Sequence, residues 1–201
     1  SNGGSIKYVF LNENIPVSTT VYDVDASDED GDRLRYSLSG FNSSRFRISD
    51  SGRITFRESP DREEISSYNT VISVRDRQYG GLIDTQHLYV GIDNVNEAPV
   101  ITSNDGHWLK TVSWDENTPA SNTVYDVEAS DRDSFRLSYS LSGVDSSSFA
   151  IDSEGRITFR ESPNYEEKSS FSTQITVRDD DGLADSQNLS VRIRDVNDAP
   201  I

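Results

Sequence analysis

The residues of this chain best equipped for chemistry are acids in the polar stretches between apolar ones. In the first hundred residues they are Glu13, Asp28, Asp30, Asp61, Glu63, Asp76 and Glu97, with Asn96 beside the last. In the second hundred they are Glu116, Asp131, Asp133, Glu166, Asp179 and Asp198, with Asn197 beside the last. Carboxylates, Asn side chains and backbone carbonyls are hard oxygen donors. A crowd of ionised carboxylates repels itself unless a cation sits among them. Ca2+ takes about six to eight such oxygens at ~2.3–2.6 Å, whereas Mg2+ keeps several of its waters. Any one of these acids reads equally well as a solvated surface charge. The whole set, repeated in register, reads as ligands for Ca2+.

Composition narrows the chemistry further. The 201 residues carry a formal charge of -16, from 35 acidic against 19 basic side chains. That surplus repels phosphate backbones and argues against nucleic acid as a partner. With no Cys there is no disulfide frame and no thiolate site. The two imidazoles, His87 and His107, lie in different halves, which argues against an ordinary zinc site. No apolar run approaches the ~20 residues of a membrane span, and no signal peptide is present. The absence of Met and the opening Ser-Asn-Gly-Gly-Ser suggest a piece of a longer protein. Asp61 and Glu63 could be posed as the carboxylate pair of a glycosidase. That pair belongs to the set a metal would occupy, and neither a Ser-His-Asp constellation nor a phosphate-binding loop is visible. The expectation is a protein that is not an enzyme.

The elements that position these acids come in two copies. Glu13-Asn14 returns as Glu116-Asn117, a shift of 103, and Thr20 to Val24 returns as Thr123 to Val127. Gly52 to Pro60 is identical to Gly155 to Pro163. After Gln78 the shift becomes 101, because Tyr79-Gly80 has no counterpart. The chain therefore reads as two domains, residues 1–99 and 100–201. Within each, apolar residues alternate with polar ones, the period of a half-buried strand. Leu34, Tyr36 and Leu38 do so, as do Ile72 with Val74 and Leu88, Val90 with Ile92. Phe46/Ile48 and Ile54/Phe56 flank a Ser-Asp-Ser-Gly turn. No segment holds a helical period, and the Ser-Ser stretches at 42–44, 66–67, 146–148 and 169–170 read as loops or short helical turns. The predicted fold is all-β: two tandem seven-stranded Greek-key, immunoglobulin-like β-sandwiches.

Each copy ends in a polar, proline-stopped joint, Asp93-Asn94-Val95-Asn96-Glu97-Ala98-Pro99 and Asp195-Val196-Asn197-Asp198-Ala199-Pro200. Glu13-Asn14, Ala26 to Asp30, Asp61-Arg62-Glu63, Asp76 and Asn94 to Pro99, in that order, resemble the motifs of extracellular cadherin repeats. The resemblance covers nearly the whole chain. The joint is one residue shorter than the usual animal pattern, and this form is similar to bacterial cadherin-like repeats. Asn94 stands where the second copy has Asp195, Glu97 replaces the more usual Asp, and Asn164-Tyr165-Glu166 replaces Asp-Arg-Glu.

The resemblance implies Ca2+ at the joint, with Glu13, Asp61, Glu63, Asn96 and Glu97 from the first copy and Asp131, Asp133 and Asp179 from the second. It implies an extracellular or cell-surface protein whose partners are adjacent repeats and another cadherin-like domain, serving adhesion or protein–protein interaction. A rival expectation is calcium-dependent polysaccharide binding. Trp108 and the Tyr79-Gly80 loop could serve it, since an aromatic ring can stack on a sugar. Trp114 aligns with Leu11 and reads as a core residue.

Overall fold

The computed structural model describes residues 5–76 and 81–198. The chain divides into two compact units, Ser1–Val95 and Asn96–Ile201. The first unit holds seven strands: β1 (Ile6–Asn12), β2 (Thr20–Asp23), β3 (Leu34–Ser39), β4 (Phe46–Ile48), β5 (Arg53–Phe56), β6 (Ser67–Asp76) and β7 (Ile83–Asp93). One sheet has the order β1-β7-β6-β3 and the other β2-β5-β4. The first strand runs parallel to the last, Val9 opposite Val90, while all other pairings are antiparallel.

The second unit repeats this plan and adds to it. Its strands are β8 (Val100–Ile101), β9 (Leu109–Asp115), β10 (Thr123–Asp126), β11 (Ala129–Ser130), β12 (Ser138–Ser142), β13 (Phe149–Ile151), β14 (Arg156–Phe159), β15 (Ser170–Arg178) and β16 (Ala184–Arg194). The sheets β9-β16-β15-β12 and β10-β14-β13 match those of the first unit, and the short pair β11-β8 is extra. No α-helix occurs among the described residues. The Ser-rich stretches divide: Ser43–Arg45 and Ser146–Ser148 form single 3-10 turns. By contrast, Ser67 and Ser170 open the long strands β6 and β15. Strand pairing overrides polar composition there, since Ser66 and Ser169 accept the backbone N–H of Ile92 and Ile193.

Each sandwich closes over one apolar core. Ile54, Ile72 and Val90 of the first unit are fully buried, as are Ile157, Ile175 and Val191 of the second. An aromatic trio locks one end of each core. Phe46, Phe56 and Tyr68 have ring centroids 4.9–5.6 Å apart. Phe149, Phe159 and Phe171 repeat the arrangement at 4.6–5.9 Å. In each trio two of the three contacts are edge-to-face, and such aromatic pairs add to what burial alone contributes. The turn between β14 and β13 needs a glycine. Gly155 has φ +87, in the left-handed region, and a Cβ there would stand 2.4 Å from the Val127 carbonyl oxygen.

The two units differ on the outer face of the larger sheet. In the first, Tyr8 and Phe10 are more than half exposed and lean on Tyr89, with centroids 5.5 and 6.3 Å away. Gly91 leaves room for the Phe10 ring, which lies 2.7 Å from where a Cβ would be. The aligned positions of the second unit are Thr111, Ser113, Ser190 and Arg192.

Two substitutions test the packing. Leu88→Ala removes a side chain that is 1% exposed and is expected to cost about 3 kcal/mol in denaturant unfolding. Gly155→Ala adds a clash to a left-handed backbone and is expected to cost more than about 1 kcal/mol. Gly182→Ala, with nothing within 4 Å of the added carbon, is expected to cost less than Gly155→Ala in the same assay.

Candidate metal centre

The acids are fixed by backbone amides. Glu13 is only 2% exposed, and its carboxylate accepts the N–H of Arg62 at 2.8 Å and of Val95 at 2.9 Å. Its own N–H donates to the Asp93 carbonyl. Asn14 follows at φ 59, the left-handed region that Asn tolerates better than most residues. That turn sends the Asn14 N–H to the Pro60 carbonyl at 2.8 Å. One Glu-Asn pair thus ties the end of β1 to the loop after β5 and to the end of β7.

The second unit repeats the knot. Glu116, 3% exposed, accepts the N–H of Tyr165 at 2.8 Å and of Val196 at 2.7 Å. Asn117 has φ 59 and donates its N–H to Pro163. The Val196 and Tyr165 amides hold the Glu116 carboxyl below its ordinary range, with burial opposing them.

A second carboxylate stands by each buried one. Oxygens of Glu13 and Glu63 lie within 4.8 Å of one another, and so do those of Glu116, Glu166 and Asp195. Glu166 aligns with Glu63 and Asp195 with Asn94. Asp61 shapes the loop that carries Glu63, accepting the Glu64 N–H at 3.1 Å. Asp195 stands in this cluster although the sequence reading did not count it among the expected ligands. The signal was its alignment with Asn94, where one copy is charged and the other is an amide.

Asn96 and Glu97, expected as ligands from the first copy, fall in the second compact unit, where they meet Asp131, Asp133 and Asp179. Asn96 donates its side-chain N–H to Asp179 at 2.8 Å. The Glu97 backbone N–H donates to Asp133 at 2.7 Å. Asp131 accepts the N–H groups of Asp133 and Ser134 through one carboxylate oxygen, at 2.8 and 2.7 Å. Its other oxygen is buried and has no hydrogen-bond partner. Arg132 reaches Glu97 at 4.0 Å. Burial pushes the Asp179 carboxyl up, but the Asn96 amide and the Gly182, Leu183 and Asp181 amides outweigh it and leave it lowered. The first unit has the same half-frame: Asp28 accepts from Asp30 and Asp32, and Asp76 from Leu82.

This donor set fits a hard cation. It consists of carboxylates, an Asn and backbone carbonyls, with no imidazole or thiolate, which matches Ca2+ rather than zinc. The buried, unpartnered oxygen of Asp131 is the atom a cation would satisfy, because a desolvated carboxylate oxygen without a partner is costly. Of the aromatic candidates, Trp108 is 70% exposed, whereas Trp114 packs half-buried against the core. Tyr79 and Gly80 lie outside the described residues.

Comparison with known proteins identifies the family. Residues 7–93 match the family model described as "Cadherin domain", and residues 96–192 match one described as "Bacterial Ig domain". The chain is 31% identical over 200 residues to human Cadherin-23, covering 95% of this chain and 6% of that protein. It is 27% identical over 219 residues to Cadherin-related family member 1 of Rattus norvegicus, covering 100% of this chain and 25% of that protein. The crystal structure of human Protocadherin-24 EC1-2 (Form II) superposes with a TM-score of 0.67 at 24% identity, covering 94% of this chain and 95% of that one. The class is the cadherin-type β-sandwich. Within it, the chain belongs to the tandem cadherin repeats. It spans only 6% and 25% of the length of these two curated relatives.

The lowered carboxyls give a pH prediction. A carboxylate whose folded value is lowered stabilises the fold above its unfolded value and loses that contribution as pH falls through the folded value. Glu116 and Asp179 are both lowered, from ordinary values of 4.5 and 3.8. The melting temperature is therefore expected to fall as pH drops below about 4.5, and Glu116→Gln is expected to flatten that fall. A Glu116→Gln variant with the full acid slope would refute it. Separately, Glu13→Ala strands two buried amide donors and is expected to cost about 2 kcal/mol, read by denaturant unfolding.

Proposed function

We propose that the chain is a calcium-binding doublet of cadherin-like repeats, residues 1–99 and 100–201, from a larger extracellular or cell-surface protein. Glu13, Asp61, Glu63, Asn96, Glu97, Asp131, Asp133 and Asp179 supply the Ca2+ ligands. The observation that carries this reading is the buried, unpartnered Asp131 oxygen among carboxylates already oriented by backbone amides. Without the ion, the joint carboxylates repel and the repeats swing against each other. With it, the swing is restricted, and the stiffened doublet serves calcium-dependent adhesion or protein–protein interaction. The family membership and the acid set support this function rather than turnover of a substrate. No helix among the described residues is long and apolar enough to cross a membrane.

Ca2+ that binds only the folded form raises stability, by about 2.7 kcal/mol at a hundred times its Kd. The melting temperature and the small-angle scattering profile are both expected to change when a chelator is added. Indifference of both overturns the reading. Asp131→Asn keeps an acceptor for the two amides but removes the charge. It is expected to weaken Ca2+ binding by about tenfold while leaving the calcium-free melt nearly unchanged.

A second reading, calcium-dependent polysaccharide binding, is favoured by the 70% exposure of Trp108. A broad exposed ring suits stacking on a sugar. Pull-down on insoluble polysaccharides, with and without Ca2+, separates the two. Retention lost on Trp108→Ala supports the carbohydrate reading, and self-association without retention supports adhesion.

A further inference from the structure

The two units carry the same small recess and fill it differently. In the first unit Arg45 lies between two acids. One of its terminal nitrogens is 3.3 Å from Glu58 and the other is 2.9 Å from Glu64. Phe56 and Tyr68 also line the recess, of which only about 20 Å³ stays open. Both rings are buried. The two ion pairs are partly solvated and add little to stability. They show instead what the recess accommodates, a guanidinium held by two carboxylates over aromatic rings.

In the second unit the acids and rings are kept and the cation is not. Glu161 aligns with Glu58, Glu167 with Glu64, Phe159 with Phe56 and Phe171 with Tyr68, whereas Ser148 stands in place of Arg45. The same recess is now an open pocket of about 500 Å³, lined by these five residues among others. Phe171 is half-buried where its counterpart Tyr68 is buried. Two cations border the pocket, Arg160 and Lys168. Lys168 is spent on Asp145, and its ammonium lies 5.0 Å from the centroid of the Phe171 ring. Among the described residues neither Glu161 nor Glu167 makes an ion pair. Three carboxylates, Asp145, Glu161 and Glu167, thus face two cations, leaving one negative charge uncompensated.

We propose that this pocket receives an arginine side chain of a partner protein, its guanidinium bridging Glu161 and Glu167 as that of Arg45 bridges Glu58 and Glu64. The planar fork of a guanidinium spans two carboxylates, which a compact ammonium does less well. The uncovered part of the Phe171 ring offers the cation an aromatic surface. The volume is that of a small-ligand pocket, more than one guanidinium fills, so an apolar neighbour of the arginine enters with it. Arginine is among the residues that most often anchor an interface. A second copy of this chain is a poor occupant, because two chains of charge -16 repel each other. A polymer of amino sugars is the competing ligand. Neither Glu161 nor Glu167 belongs to the acid set assigned to Ca2+.

The probe is N-acetyl-argininamide, titrated into the full chain at a constant Ca2+ concentration and followed by backbone amide resonances. Saturable shifts are expected at residues 147–149, 160–162 and 167–171. The citrulline analogue, which keeps the shape without the charge, is expected to cause none. The lysine analogue is expected to bind at least about threefold more weakly. Ser148→Arg fills the pocket from within, as in the first unit, and is expected to abolish the shifts while the melting temperature shows the variant folded. Glu161→Gln, a milder change, is expected to weaken binding at least about threefold. Arg45→Ser opens the matching recess of the first unit and is expected to add shifts at residues 44–46, 57–59 and 63–65. No saturable shift in the unaltered chain, or shifts that survive Ser148→Arg, overturns the pocket. A glucosamine oligomer that shifts the same resonances at lower concentration than the arginine derivative overturns the partner in favour of a cationic sugar. Shifts that grow with protein concentration alone overturn it in favour of a second copy. Because Ca2+ is held constant throughout, none of these results bears on Ca2+ binding.

Discussion

The structure depends on one interaction made twice: a buried glutamate carboxylate that accepts two backbone N–H groups from distant parts of the chain. Glu13 joins Arg62 to Val95, and Glu116 joins Tyr165 to Val196. Bonds from amides to an ionised acceptor are stronger than those between neutral groups. They also solve an architectural problem. The loop after β5 and the segment leaving β7 are irregular, so their amides have no ladder to join. A single carboxylate collects them and fixes where the neighbouring acids point. The charge needed to hold the loops is the same charge that makes the place attractive to a cation.

The fold was largely legible because the core is written in period two. Leu34/Tyr36/Leu38, Ile72/Val74 and Leu88/Val90/Ile92 fall on strands as the alternation implies. Self-similarity did the rest, since identical stretches such as Gly52 to Pro60 and Gly155 to Pro163 must fold alike. What alternation could not locate was β1. Its sequence Ile-Lys-Tyr-Val-Phe-Leu-Asn places apolar residues on both faces, because its outer face carries Tyr8 and Phe10. The pair β8 and β11 was hidden for another reason. Each is two residues long, too short for any period to register.

The candidate site was legible as residue types and not as bonds. Spacing and repetition singled out Asp131, Asp133 and Asp179. Only coordinates show that Asp131 spends one oxygen on turn amides and keeps the other buried and unpartnered. The same holds for the Asn of the Glu-Asn pair. In the sequence Asn14 and Asn117 are marked only as the second half of a repeated Glu-Asn pair. In the structure their identity answers to a left-handed backbone, which carries the chain from one sandwich edge into the next loop.

The distribution of indoles has a spectroscopic consequence. Both tryptophans, Trp108 and Trp114, belong to the second unit, and the first has tyrosine as its only comparable fluorophore. Trp114 packs against the core while Trp108 faces outward. Tryptophan emission therefore watches the second repeat alone, with Trp114 reporting the loss of its packing. Far-ultraviolet ellipticity watches both repeats together. In one unmodified sample the two signals coincide if the repeats unfold as a single cooperative block. They separate if each repeat melts on its own.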